Sequence, residues 1–161
     1  MNNEITIDGV VYVRKDSCKC PFMNKGNENI GKKYGFTGET LNYKGHILHR
    51  IFALKDFWGI RKGDFGGWIE KEDNLSQKGN CWVFGNAGVF GDAEVHGNAW
   101  VFGNAKVGGN AKVYGNAKVG GNANVFGNAE VFGNVKVYGN AWVFGNTNVY
   151  RDAEVVQLRS H

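Results

Sequence analysis

Two cysteines and two histidines in the N-terminal third carry the thiolate and imidazole groups that bind zinc in proteins. They are Cys18, Cys20, His46 and His49. One residue separates the cysteines, which is tighter than the usual gap of two to four, and 25 residues intervene before His46. The prediction is therefore free thiols and surface histidines, with these four residues as the candidate ligands if a metal is bound.

A second set combines aromatic side chains with lysines at a spacing of 18 residues. Its members are Trp82, Phe84, Trp100, Phe102, Lys118 and Lys136. Aromatic faces stack on flat or cationic groups, and lysines attract anions. The set could form a platform for a small anionic ligand. A large apolar patch more often marks an interface, however, so we expect the first 75 residues or another subunit to pack on it.

The elements that must position these residues follow from a six-residue repeat. Glycine recurs every six residues from 79 to 145, followed each time by Asn or Asp, and valine recurs from 83 to 155 without exception. The unit is Gly-Asn-Ala-x-Val-aromatic. A period of six fits neither an α-helix nor a coiled coil, and it is typical of a parallel β-helix in which three hexapeptides form one coil. The sequence therefore predicts an all-β solenoid of about four coils.

The repeat also predicts which side chains face inward. Valine and alanine should fill the interior, and the flanking residues should face outward because strand side chains alternate. We expect Gly-Asn to form the corners, since both residues tolerate left-handed backbone, and stacked asparagines to form hydrogen-bonded ladders. On one face Glu94, Lys112 and Glu130 alternate in charge, which predicts a weak ion ladder.

The sequence predicts three regions: a β-rich cap at residues 1–77, the solenoid at 78–156 and a tail at 157–161. Residues 4–14 alternate around Asp8-Gly9 as in a hairpin, and a second hairpin is expected between Tyr34 and Leu54. A solenoid needs such a segment to cover its open end.

Charge and composition limit the function classes. The net charge is +4, Gly numbers 25 and Pro one, and neither half of the chain is a basic arm, so nucleic acid is not an expected partner. No apolar run is long enough to cross a membrane, and the N-terminus does not resemble a signal peptide. Three cysteines are too few for a disulfide scaffold. We expect a soluble, cytoplasmic protein.

The repeat resembles the hexapeptide-repeat, left-handed β-helix family. Residues 79–156 carry the resemblance, and the stretch from Gly63 to Ser76 is similar to the lead-in of a narrower bacterial and phage group, labelled transferases or polymer-forming proteins. The resemblance implies a left-handed winding. Acyltransferase members favour an aliphatic residue followed by Gly, whereas here Val is followed mostly by an aromatic residue.

Acyltransferases of this family use a histidine as general base at a cleft between subunits, which would make His96 the catalytic residue and acyl-CoA the cosubstrate. His96 is the only histidine within 78–156, but the repeat has no extruded loop to build a site. Two hypotheses remain. The first is a non-catalytic, self-associating module that binds a partner or sequesters a small anionic ligand, of nucleotide type and tied to host defence if the protein is phage-encoded. The alternative is a coenzyme-A-dependent acyltransferase.

Overall fold

The computed structural model describes residues 30–156 in full and the backbone of Glu4–Ile7 and Val10–Val13. Cys18, Cys20 and the predicted tail at 157–161 lie outside the described residues. The described part is all-β, as predicted; its one helical turn is a 3-10 turn at Glu72–Asn74. No helix in it is long and apolar enough to span a membrane.

Five longer strands precede thirteen strands of two residues each. The longer ones are β1 (Glu4–Ile7), β2 (Val10–Val13), β3 (Tyr34–Tyr43), β4 (His46–Ala53) and β5 (Phe65–Ile69). The short ones are β6 (Trp82–Val83), β7 (Gly88–Val89), β8 (Glu94–Val95), β9 (Trp100–Val101), β10 (Lys106–Val107), β11 (Lys112–Val113), β12 (Lys118–Val119), β13 (Asn124–Val125), β14 (Glu130–Val131), β15 (Lys136–Val137), β16 (Trp142–Val143), β17 (Asn148–Val149) and β18 (Glu154–Val155).

The short strands stack into three parallel sheets, because each strand pairs with the one 18 residues later. In one sheet Val107 lies opposite both Val89 and Val125. Each sheet has five rungs: β6-β9-β12-β15-β18 in the first, β5-β7-β10-β13-β16 in the second, and Leu75 with β8-β11-β14-β17 in the third. The solenoid therefore has five coils rather than the predicted four, since residues 65–83 form an additional first coil.

The interior follows the repeat. Every inward valine from Val83 to Val143 is buried, and so is every alanine of the repeat up to Ala141. The corner glycines adopt positive φ, between 57° at Gly85 and 83° at Gly133. The asparagines after them do not adopt positive φ, so the expectation of left-handed asparagines is wrong. The turn is made at the glycine position, which Arg151 occupies with φ of 69° in the last described copy.

The predicted asparagine ladders are present along all three edges. Along each ladder the side-chain N–H of one asparagine donates to the side-chain oxygen of the asparagine 18 residues later, at 2.9 to 3.3 Å. Asp152 ends one ladder as an acceptor for Asn134. Asp92 occupies the first position of the third ladder, where its side chain has no N–H to donate to Asn110 and instead pairs with Lys71.

Both predicted hairpins are confirmed: β1 pairs antiparallel with β2, and β3 with β4. Strand β4 pairs antiparallel with β5, and β5 pairs in parallel with β7. One solenoid sheet therefore continues into the hairpin as a seven-stranded sheet. Tyr34, Ile51 and Ile69 of this extension are buried in the same core as the repeat valines.

Candidate functional site

A cleft of about 520 Å³ lies where the first coil meets the second, and His96 is on its wall. The cleft combines carboxylates, one imidazole and polar side chains. Its lining residues are Glu72, Asp73, Leu75, Ser76, Gln77, Glu94, Val95 and His96. Of the sequence-predicted site residues, His96 is the one that lines this cleft.

The acidic wall of the cleft is held in place by Asn74, which is fully buried. Its side-chain oxygen accepts hydrogen bonds from the backbone N–H groups of Glu70 and Lys71, at 3.1 and 2.8 Å. Its amide donates to the carbonyls of Gly91 and Ala93, at 3.1 and 2.8 Å. These bonds fix the 3-10 turn that presents Glu72 and Asp73 to the cleft.

The imidazole of His96 begins a stack of four rings along the third sheet. It lies parallel to Tyr114 with 4.9 Å between ring centroids, and Tyr114 lies parallel to Phe132 at 5.0 Å. Tyr150 continues the stack at 5.5 Å. Stacking on Tyr114 restrains the plane of the imidazole beside the cleft.

Charge in and beside the cleft is mostly negative. Glu72 pairs with Lys32 at 2.6 Å, whereas Asp73 and Glu94 are exposed and make none of the four ion pairs among the described residues. The register places Lys112 between Glu94 and Glu130, as predicted, but no ion ladder forms. Glu130 instead accepts a hydrogen bond from the Tyr114 hydroxyl at 3.2 Å. The cleft therefore suits a cationic or neutral molecule better than a phosphate.

The predicted aromatic patch is divided between core and surface. Trp82 is fully buried, with its ring 5.2 Å from Phe57 and 6.2 Å from Tyr34, and its indole N–H has no hydrogen-bond partner within the described part of the chain. Residues before the repeat thus cover Trp82, in line with the packing alternative. Phe84 and Trp100 are half-buried and meet edge to face at 5.0 Å.

Phe102 is half-buried and lies directly against Gly120, so closely that a β-carbon on Gly120 would overlap the ring. Lys118 and Lys136 are exposed and lie opposite each other on β12 and β15. The Lys118 ammonium lies 5.4 Å from the centre of the Trp100 ring. The structure therefore brings together Trp100, Lys118 and Lys136 on one open face.

The two candidate zinc-ligand histidines have separate environments. The His46 Nδ1 atom is 3.0 Å from a Glu70 carboxylate oxygen, and its ring packs on Phe90 at 4.8 Å. His49, three residues along the strand, packs against Phe36. Among the described residues no three histidine, cysteine or acidic side chains are grouped to hold a metal ion.

Sequence reasoning missed the carboxylate that orients His46. Glu70 also accepts a hydrogen bond from the Gly91 N–H at 2.6 Å. Burial alone would raise the pKa of Glu70, but the hydrogen bonds from Gly91 and His46 outweigh it and lower that pKa. The periodicity contains no signal for this pair, because Glu70 and His46 both precede the regular repeat.

A buried lysine was also missed. Lys33 is 1% exposed, and its ammonium group donates to the Cys81 carbonyl at 2.8 Å and approaches the Cys81 sulfur at 3.2 Å. Burial lowers the pKa of Lys33 and raises the pKa of Cys81. The carbonyls of Lys78 and Gly79 lie 3.4 Å from the same ammonium group. Lys33 thus satisfies backbone acceptors at the start of the solenoid.

Five stacked coils of three short parallel strands, with valine and alanine inside, define a parallel β-helix protein. No family model matches the chain. A stretch of 53 residues, 32% of this chain, is 43% identical to the uncharacterized acetyltransferase YdcK of Escherichia coli (strain K12). The match spans 16% of that protein's length. The repeat, the solenoid and this similarity together support a β-helix of the hexapeptide-repeat type.

Proposed function

We propose that this β-helix transfers an acyl group to an acceptor bound in the cleft beside His96. The observation that carries the proposal is that the only histidine of the repeat lines the cleft of about 520 Å³. An imidazole is the usual general base near neutral pH. The similarity to a protein named as an acetyltransferase supports the same reaction class.

The chemistry requires a base and a way to hold the acceptor. Acyl-CoA would supply the activated thioester carbonyl. His96 would accept the proton that an amine or hydroxyl loses as it attacks, and would return it to the departing thiol. Asp73 and Glu94 would attract a positively charged acceptor to the cleft, where a reacting amine would lose its extra proton to solvent before it attacks.

The lining of the cleft fits only part of acyl-CoA. Glu72, Asp73 and Glu94 would repel its phosphates, so the cleft suits the acceptor and the thioester end. The phosphate-bearing end would have to lie on another surface of the protein.

The test is release of free thiol from acetyl-CoA in the presence of a panel of amines and hydroxyl compounds. His96→Phe is the informative variant, because phenylalanine keeps the ring stack on Tyr114 and removes the base. Loss of a general base is expected to reduce turnover by about a hundredfold or more. Phe132→Tyr, two coils along the same stack, is the matched control and should keep full activity. No turnover with any acceptor, or full activity of His96→Phe, would contradict the proposal.

A second candidate is a non-catalytic, self-associating module that binds a partner or a small ligand. It is favoured by the hexapeptides running from 79 to 156 without an inserted loop. Native mass spectrometry of the purified chain would report subunit number and retained small molecules together. A retained ligand without acetyl-CoA turnover supports this candidate over the first.

A further inference from the structure

A tight turn next to the solenoid carries a tryptophan at a position where tryptophan is unfavourable. Phe57 and Ile60 exchange two backbone hydrogen bonds, at 2.9 and 2.7 Å, around the pair Trp58-Gly59. Both turn residues have positive φ, 29° at Trp58 and 84° at Gly59. Turns of this shape favour Asn, Asp or Gly, and a bulky residue there is strained. Strained backbone of this kind clusters at ligand-binding sites.

The strain at Trp58 does not serve the core. The Trp58 side chain is 57% exposed, and its ring meets Trp100 edge to face at 6.0 Å. Two contacts hold Trp100 in place: its indole N–H donates to the Asn80 carbonyl at 3.3 Å, and the Phe84 ring packs on its ring. The two tryptophans therefore form a fixed aromatic surface that is open on the Trp58 side.

Two lysines next to this surface form no ion pair among the described residues, although Glu154 lies opposite Lys136 on the next strand. Lys118 and Lys136 lie opposite each other on adjacent strands, an arrangement that is unfavourable for like charges. Lys118 is also the lysine whose ammonium group lies over Trp100. A positive spot thus directly adjoins the aromatic one.

We propose that Trp58, Trp100, Lys118 and Lys136 bind a nucleotide-type ligand, a planar base that carries at least one phosphate. The base would stack on the tryptophans, and the phosphate would neutralise the two lysines. The lysine pair has Trp100 on one side and Glu154 on the other along its sheet, so it offers no track for a nucleic-acid backbone. The site stands whether or not His96 is catalytic. If it is, the same surface would hold the nucleotide end of acyl-CoA.

Titration calorimetry with ADP and with coenzyme A tests the site, beside adenosine and pyrophosphate as half-ligands. We expect ADP to bind and each half-ligand to bind at least about tenfold more weakly. Trp58→Ala, and the double change Lys118→Ala with Lys136→Ala, should each weaken ADP binding by about tenfold or more. If coenzyme A binds more tightly than ADP and the site variants weaken its binding, the coenzyme is the ligand. If coenzyme A and ADP bind equally well, the ligand is a free nucleotide.

Matched controls come from exposed residues elsewhere on the solenoid. Trp142→Ala on β16 and Lys112→Ala on β11 remove the same side chains from other sheets and should leave ADP binding unchanged. Absence of ADP binding, equal binding of a half-ligand, or equal losses in the control variants would overturn the site. Acetyl-CoA turnover that survives Trp58→Ala at unchanged KM would overturn it as the donor site while leaving the His96 proposal intact.

Discussion

The first coil, residues 65–83, joins the repeated ladder through Asn80 but otherwise depends on contacts made once, whereas the four later coils are held by contacts made repeatedly. In the later coils each asparagine amide finds the next asparagine, as Asn104 does with Asn122. Among the described residues no coil precedes the first one to supply its backbone carbonyls with N–H donors. Lys33 instead donates to the Cys81 carbonyl, and the Tyr34 hydroxyl donates to the Leu75 carbonyl at 2.6 Å.

This difference shows what the N-terminal segment contributes. The edge of a solenoid exposes backbone groups and apolar side chains that the next coil would otherwise cover. Here a seven-stranded sheet and two buried polar side chains cover them. Functional candidates gather near the same junction, where non-repeated side chains meet the repeat. The His96 cleft includes Leu75 of the first coil, and the turn that carries Trp58 contacts the first coil through Phe57 and Trp82.

The two regions should differ most in how much stability is lost when a tryptophan is replaced by alanine. Trp82→Ala should lower the free energy of unfolding by about 3–5 kcal/mol, because it leaves a large cavity beneath the N-terminal sheet. Trp142→Ala, on the bare part of the solenoid and 49% exposed, should change it by about 0.5 kcal/mol. Urea unfolding measures both, with Trp82→Phe as a milder variant if the alanine variant does not fold. Equal losses would mean that the N-terminal segment adds no packing to the first coil.

A smaller contrast is expected at two asparagines. Asn74→Ala removes four hydrogen bonds at a fully buried position and should cost about 2–3 kcal/mol, since buried backbone groups lose their partners. Asn122→Ala removes one member of an exposed ladder and should cost about 1 kcal/mol. Thermal unfolding of the two variants side by side gives the comparison. A ladder variant as damaging as Asn74→Ala would contradict the distinction between single and repeated contacts.

The regular coils could be predicted from the sequence because each coil packs mainly on copies of itself. Knowing that Val107 faces inward fixes Val89 and Val125 as its neighbours. The first coil has no such rule, since Leu75 and Val83 are eight residues apart instead of six. That irregular spacing hid the fifth coil. The asparagine backbone was also mispredicted, because ladder formation rather than left-handed φ accounts for the residue.

The candidate sites depend on contacts between segments far apart in the chain, which a repeat cannot reveal. His96 could be singled out because it is unique in the repeat, but the carboxylates of Glu72 and Asp73 reach it only through the turn that Asn74 fixes. Trp82 looked like a surface residue by alternation, and its burial follows from Phe57 packing on it. Trp58 lies beside Trp100 only once the turn between Phe57 and Ile60 has formed in the folded protein.

The smallest expected effect tests why glycine occupies the corners at all. Arg151 stands at the glycine position of the last described copy with φ of 69°, so Arg151→Gly should stabilise the fold by about 1 kcal/mol through relief of left-handed strain. Gly133→Ala is the counterpart one coil earlier. A β-carbon there would lie 3.0 Å from the Arg151 carbonyl oxygen and 3.1 Å from its nitrogen, so this change should cost more than the conformational strain alone. Differential scanning calorimetry of both variants separates the two causes. If Gly133→Ala costs no more than Arg151→Gly gains, backbone conformation alone selects the glycines, and close approach of successive coils adds nothing.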